Sequence, residues 1–538
     1  MELTRRSFLT GATLTGACVA AGLIGCSPKV DNEKPQGDAT DGADANNAET
    51  AAGTHDPVET EECDLVVVGT GTAGLCAAAK AAQMGAKVIL LEKNNMLGGS
   101  SGFAEGLGAL NSYVHKADGV SFDTNEAFLR IQDYHHWGPD SKVLRTFLDN
   151  SGRTIDWLHD ECGINFYSAT VTAPTSYPSW HLLADADGNL TRVKGGLIDP
   201  MGEYVASLGV DTRLESPATG LIVDENDAVK GVYYENSGKE YAINAKNVIL
   251  ATGGWADSEE CFDNFAHIEF SRVHNWGAAG RDGDGITWAQ QLGAALHFPA
   301  NIMYGSTQIP DASDFEDPAG WIFTWCPGLR VNENAERFFN EMFMADFSLA
   351  GNAVINEKKV FTVLDQAYID TCCNVALPQG LESVGYITGE PFTEGPDAIA
   401  AAVEKGRIWK ADTIEELAGM MGVDAAALQA TIDQYNGFAA DGVDPQFGCP
   451  APGLVPVKTA PFYATVNNPA MFATVGGLKS NENMQVLKTD GTPIEGLYAI
   501  GGDNSTYCGP CYDVGVLSGS QQGWCATGAV LACEHIFG

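Results

Sequence analysis

Apolar and polar positions follow two rhythms along this chain. Short apolar runs at 64–68 and 87–91 read as strands, and an alanine-rich stretch between them, stopping near Gly85, reads as a helix. Residues 122–133 and 139–160 place Phe128, Ile131, Leu144, Phe147, Leu148, Ile155 and Leu158 at helical spacing, and 197–208 does the same. Short strands follow at 212–214, 218–223, 228–235 and 240–243, with Asn226-Asp227 and Ser237-Gly238 as turns. Residues 247–251 form another apolar strand, and a helix begins near Ile286. Residues 301–473 lose this strand–glycine–helix style and carry helices near 396–405, 413–421 and 424–439. The earlier style returns in a strand at 496–503 and a last helix near Ser518.

The first strand runs into Gly69, Gly71 and Gly74, with Thr72 and Ala73 inside the motif. The second strand ends in Glu92, eighteen positions after Gly74, followed by Lys93. A Gly-x-Gly-x-x-Gly inside a complete strand–helix–strand unit with a terminal acid is a dinucleotide fingerprint. Gly69 permits the tight turn, Gly71 lets backbone N–H groups reach a pyrophosphate, and Gly74 lets helix and strand pack closely. The helix N-terminus adds positive dipole, and Glu92 can accept from a ribose. A small-residue loop, Gly98-Gly99-Ser100-Ser101 with Gly102, Gly106 and Gly108, permits close approach to a flat ligand.

Composition bounds the rest. Asp and Glu number 70 against 30 Lys and Arg, and the formal charge of −40 argues against nucleic acid. Thr4-Arg5-Arg6-Ser7-Phe8-Leu9 and the modest apolar stretch after it read as a twin-arginine export signal. Leu23-Ile24-Gly25-Cys26 resembles a lipoprotein box, so residues 1–26 are read as signal and Cys26 as a lipid anchor, the one expected membrane contact. Residues 27–62 hold ten acids and two lysines with little that is large and apolar, and read as a disordered acidic linker. The place expected for the protein is the outer side of the cytoplasmic membrane, in the cell envelope. Of the 14 cysteines, the twelve after Cys26 show no disulfide framework and no zinc spacing, so no metal is expected.

In order, Gly69/Gly71/Gly74 with Glu92, the Gly98–Gly108 loop, Ala251-Thr252-Gly253-Gly254, Gly283-Asp284-Gly285, Val331-Asn332, Arg337-Phe338-Phe339-Asn340-Glu341, Gly476-Gly477 and the 496–503 strand resemble the flavoprotein superfamily of fumarate reductases, succinate dehydrogenases and 3-ketosteroid Δ1-dehydrogenases. The resemblance implies FAD and an α/β fold. A Rossmann-like FAD-binding domain, split between 63–300 and 474–538, would carry an inserted α+β capping domain at 301–473. It assigns Gly69, Gly71, Gly74 and Glu92 to the ADP half. Gly99, Ser100, Ser101 and Gly106 fall in the loop along the pyrophosphate and ribityl chain, and Gly253 in the glycine turn. Asp284 and Asp503 would bind ribityl or pyrophosphate groups. A helix start near Leu517-Ser518 would face the flavin N1/O2 edge.

The implied chemistry is hydride transfer between flavin N5 and carbon with proton transfer at the neighbouring carbon. The chain departs from the fumarate reductases where they carry charge. Ala345 stands at their proton-donating Arg, Ala473 at their His, and Tyr512 or Asp513 near their carboxylate-clamping Arg. A dicarboxylate is therefore disfavoured. The loop Tyr507-Cys508-Gly509-Pro510-Cys511 is similar to the Tyr-x-Gly-Pro-Gly of the ketosteroid dehydrogenases, which makes Tyr507 the expected acid/base hydroxyl, with Tyr304 and Asp346 as fallback donors. Trp321, Trp325, Phe338 and Phe339 suit a flat neutral substrate. The expected activity is reduction, or desaturation, of an activated carbon–carbon double bond in a small uncharged molecule, with electrons from an external donor. Two alternatives stand beside it: a flavin–dithiol oxidoreductase using Cys508 and Cys511, and a non-catalytic flavoprotein electron carrier.

Overall fold

A computed structural model describes residues 55–538 except Pro174 and 309–316, without the side chains of 298–308 and residue 345. The signal, the Cys26 anchor and most of the acidic linker lie outside the described residues. The linker reading ran too far: Thr60–Val68 is one strand, and Glu61 and Glu62 pair with Ile243 and Asn244. The exposed or half-buried acids of the strand's outer half, Glu61, Glu62 and Asp64, had hidden it.

The first lobe is built on an eight-stranded sheet. Its parallel centre runs Pro493–Ala499, Lys239–Leu250, Thr60–Val68, Val88–Leu91 and Asp211–Arg213. Val66 sits opposite both Val248 and Ile89. Alternate side chains feed two separate cores, Leu65 and Val67 one, Val66 and Val68 the other. Burial on both faces explains the unbroken apolar runs. The 240–243 and 247–251 strands are one strand, Lys239–Leu250. Residues 242–250 pair in parallel with Thr60–Val68; along the other edge its first half forms a hairpin with Val229–Asn236, and Val248–Leu250 join Pro493–Ala499. The polar residues between them mark a change of partner on that edge rather than a turn.

The fingerprint helix is Thr72–Gln83, and the last helix is Ser520–Phe537, two residues later than expected because Gly519, at φ +78°, caps it. Asp140 caps the Ser141–Asp160 helix through the N–H groups of Lys142 and Val143. A small sheet of Gly106–Gly108, Trp180–Ala184, Asn165–Thr170 and Leu190–Thr191 was not legible in the sequence.

The second lobe centres on a six-stranded sheet. Its seventeen-residue strand Phe462–Leu478 pairs with Val360–Asp365 near one end and Leu296–Gln308 near the other, so one strand spans the expected 473/474 boundary. The Arg337–Glu341 motif is architecture here. The Arg337 guanidinium lies 2.6 Å from Glu341 and 2.9 Å from Asp444, with all three side chains buried. Removing one member of such a group strands the others. Arg337→Ala should lower the unfolding free energy by about 3–5 kcal/mol, read by urea denaturation.

Candidate active site

Two clefts meet between the lobes. The first, about 940 Å³, is walled by Gly69, Gly71, Ala73, Glu92, Lys93, Gly99, Ser100, Ser101, Gly253 and Asp284, with Asn94, Ser216 and Trp288 among the others. Its shape comes from backbone approach. A Cβ on Gly69 would stand 2.2 Å from the Ala251 carbonyl, and one on Gly74 would stand 1.8 Å from the Gly69 carbonyl. Gly69 has φ +106°. A Cβ on Gly71 would stand 3.2 Å from Ser101 Oγ, and the Thr72 N–H donates to that oxygen at 3.2 Å. Gln522, which lines the cleft, donates to Ser101 Oγ at 3.4 Å and leaves its buried Oε1 without a partner; Thr72, whose buried Oγ1 is also unpartnered, does not line the cleft. An unmet polar group in a glycine-walled cradle at a helix N-terminus fits a dinucleotide.

Charges in this cleft come from two segments, at 92–93 and 281–284. Glu92 is 6 % exposed and accepts from the N–H groups of Thr70 (3.1 Å) and Asn94 (2.9 Å). Lys93 bonds Asp282 at 2.8 Å and Asp284 at 3.2 Å. Burial pulls the Lys93 ammonium down, but these carboxylates outweigh it and hold it above its ordinary value. Asp503 is placed differently from expectation. It is fully buried and accepts from Thr252 and from the Gly254 N–H, so it braces the 251–254 turn instead of facing the cleft. Leu517 and Ser518 also stand back from both clefts, and the Ser518 hydroxyl engages Thr172 and Ser176.

The second cleft, about 950 Å³, is a chamber sharing Ser100, Ala473, Gln521 and Gln522 with the first. Gly106 belongs to this chamber. Aromatic rings line it: Trp321 stacks on Trp325 at 5.5 Å, Trp325 meets Phe347 edge-on at 5.9 Å, and Phe347 stacks on Tyr512 at 5.9 Å. Trp180 and Phe472 add to the wall. Among the described residues, no Lys, Arg or His lines the chamber, and its acid is Glu105. Phe338 and Phe339 are elsewhere, stacked on each other in a small separate cluster.

Tyr507 does not occupy the expected position. It is fully buried behind the chamber, against Phe147 and Trp524, and its hydroxyl reaches Ser520 and Gln521 at 3.2 Å. Tyr512, five residues on, lines the chamber in its place. Burial pushes the Tyr512 hydroxyl well above its ordinary range, so it is protonated at neutral pH; neighbouring Ser520 and Gln521 oppose that shift in part. Asp346 caps the Phe347–Ile355 helix and accepts from Tyr134 at 3.1 Å, a structural post beside the chamber. Tyr304 lies in the Leu296–Gln308 strand opposite Met471, and its side chain lies outside the described residues.

Cys508 and Cys511 are sealed in the core on either side of the His135 ring, at 3.7 and 3.8 Å from its two nitrogens. Burial raises Cys508 well above its usual value and Cys511 to about 12, and lowers His135 to about 3. Protonated thiols beside a neutral imidazole are poor nucleophiles, which weighs against the dithiol alternative. Asp513 joins Cys508 and His135 with ligand atoms within 4.8 Å, a grouping invisible in the sequence because His135 comes from a distant helix. These groups are already engaged in part, Cys508 with the Cys511 carbonyl and Asp513 with Ser520.

A family model described as an FAD binding domain matches residues 64–515. The chain belongs to this FAD-binding family. It binds FAD and is an FAD-dependent oxidoreductase of the CH–CH class. The family member is 34% identical over 458 residues to the vinyl phenol reductase of Lactiplantibacillus plantarum, covering 84% of this chain and 91% of that one. It is 27% identical to the urocanate reductase of Eggerthella lenta, over 82% of this chain and 70% of the relative. Its fold is shared with the 3-ketosteroid Δ1-dehydrogenase of Sterolibacterium denitrificans, at TM-score 0.72 and 20% identity, over 89% of this chain and 99% of that one. The open flavocytochrome c3 fumarate reductase gives TM-score 0.66 at 24% identity, over 89% and 78%.

The chamber residues the sequence left unassigned had signals. Gln521-Gln522 is a polar pair opening an otherwise apolar helix, and Glu105 is a lone acid in a glycine-rich loop. Burial holds Asp346 near pH 6 and Asp513 near pH 7, above the usual carboxylate range. A carboxyl raised on folding binds protons more tightly folded than unfolded. Its contribution therefore favours folding at acid pH and weakens as pH rises from about 4 to about 7. Asp513→Asn should flatten this decline, measured by urea denaturation from about pH 5 to about pH 7.5.

Proposed function

We propose that this oxidoreductase reduces the carbon–carbon double bond of a small, uncharged aryl alkene in the aromatic chamber. The observation that carries this reading is the chamber wall: stacked aromatic rings, no cation among its described residues, and a border shared with the cofactor cleft. Ala473 lies on that border and Tyr512 on the chamber wall, at the positions where the resemblance to fumarate reductases called for cations. A dicarboxylate would enter with no charge to pair it, at a desolvation cost of several kcal/mol or more. A flat ring gains from the Trp321, Trp325 and Phe347 faces instead. The likeness to a vinyl phenol reductase supports the same class.

When bound, FAD supplies the hydride acceptor and donor. The chain does the rest. Tyr512 holds its proton at neutral pH and faces the chamber, so it is the donor to the alkene carbon that does not receive hydride. Gln521 and Gln522, from the first turn of the last helix, stand on the border and orient both ligands. The aromatic wall excludes water. The twin-arginine pattern and Cys26 extend the proposal to an exported, lipid-anchored enzyme fed by an external electron donor.

Anaerobic reoxidation of the dithionite-reduced protein tests this. Within a panel of uncharged aryl alkenes, ring-hydroxylated ones included, at least one should reoxidise the flavin and fumarate should not; the reverse overturns the reading. Tyr512→Phe should slow reoxidation by about 10²–10⁴-fold with FAD retained. Tyr507→Phe should cost about 1 kcal/mol of stability and leave the rate within a few-fold. Replacing Cys508 and Cys511 together by Ser should leave alkene reduction in place.

A further inference from the structure

Glu105 is the one acid among the described residues of the chamber wall, and an apolar substrate leaves it unused. It stands between Ala104 and Gly106, both in the same wall. Its Oε1 is buried and has no hydrogen-bond partner. A carboxylate oxygen kept from water without a donor costs free energy, and such groups mark a place where a ligand completes the site. Burial raises this carboxyl to about 7, opposed by Arg192, the charged group acting on it. It is therefore poised to hold or release a proton near neutrality.

We propose that Glu105 receives the hydroxyl of a para-hydroxyaryl alkene, so that the substrate is a phenol of the 4-vinylphenol kind. The inference rests on the aryl-alkene reading and adds the residue that selects within that class. The hydroxyl donates to Glu105 and supplies the partner its carboxylate lacks. It also makes the alkene reducible. As the O–H proton passes to Glu105, the O–H electron pair becomes a ring carbonyl. The alkene pair then forms a C–H bond at the terminal carbon with the proton of Tyr512. The carbon beside the ring is left electron-poor and accepts the hydride supplied by reduced FAD. That pair restores the aromatic ring, and the phenolate oxygen recovers its proton from Glu105. The sum is one hydride and one proton, the latter replaced on Tyr512 by solvent. A simple styrene lacks this help, because protonation of its terminal carbon leaves a benzylic cation with no ring oxygen to feed it.

Binding to the oxidised holoenzyme tests the assignment without turnover. The ligands are 4-ethylphenol and its methyl ether, 4-ethylanisole, which keeps the ring and loses the donor. The wild type should bind the phenol about 10- to 100-fold more tightly, the range of a hydrogen bond to a charged group. That preference should shrink as pH falls below about 7 and the carboxyl is neutralised. Glu105→Leu should bind the two ligands equally, and Glu105→Gln, whose amide oxygen still accepts, should keep a reduced preference that no longer varies with pH. FAD absorbance checks that each variant is loaded. If the leucine variant fails to hold FAD, the wild-type pH series and the glutamine variant decide. Equal affinity for phenol and ether in the wild type, or an undiminished preference in Glu105→Leu, overturns the role of Glu105. Failure of every aryl alkene to reoxidise the reduced enzyme overturns the reading of function instead, so the two failures are distinct.

Discussion

The structure depends on backbone meeting backbone where parallel strands end. Gly74 lies against the Gly69 carbonyl, Gly69 against the Ala251 carbonyl, and Gly502 against Gly253, whose carbonyl carbon would be 2.7 Å from an added Cβ. No side chain fits at these contacts, so three chain segments close in space though they lie far apart in sequence. The surface they leave is made of N–H groups and carbonyls, with a helix N-terminus at its centre. That surface suits a phosphate bridge and a flat ring. Asp503 holds it from behind by accepting from the 251–254 turn.

The cofactor side and the substrate side then obey opposite electrostatics. The first cleft keeps its charges, with Lys93 between two carboxylates and Glu92 bound to backbone N–H groups. The chamber beside it is apolar, and the groups in it that titrate are neutral or near neutrality at pH 7, Tyr512 by burial and Glu105 by burial against Arg192. A low-polarity chamber strengthens each hydrogen bond made inside it, so on the proposed reading one tyrosine and one carboxyl position an uncharged substrate. The resemblance to fumarate reductases called for cations where this chain carries Ala473 and Tyr512, and no cation lines the chamber among the described residues.

Much of the first lobe was legible because parallel strands buried on both faces and a glycine fingerprint leave local marks. The helices at Thr124–Tyr134 and Ser141–Asp160 were legible from their apolar spacing. Other features depend on distant partners. Strand Thr60–Val68 begins among exposed acids, and Lys239–Leu250 changes partner midway, so periodicity alone cut both short. The site was harder. Tyr507 was chosen from a loop pattern, but which tyrosine lines the chamber depends on how that loop folds over Phe147 and Trp524, and it is Tyr512. Asp503 and Ser518 sit in motifs near the cofactor yet turn their side chains toward the protein. Proximity in a motif fixes the backbone and leaves the direction of the side chain to packing.

The central claim is that an alkene and FAD meet across the border formed by Ser100, Ala473, Gln521 and Gln522. A crystal structure of the oxidised holoenzyme soaked with 4-ethylphenol measures this directly. The account predicts the isoalloxazine ring at that border and the ligand ring against Trp321 and Trp325. The carbon beside the ring should lie about 3–3.5 Å from flavin N5. A flavin ring held away from the border, or a ligand bound outside the aromatic chamber, would contradict it.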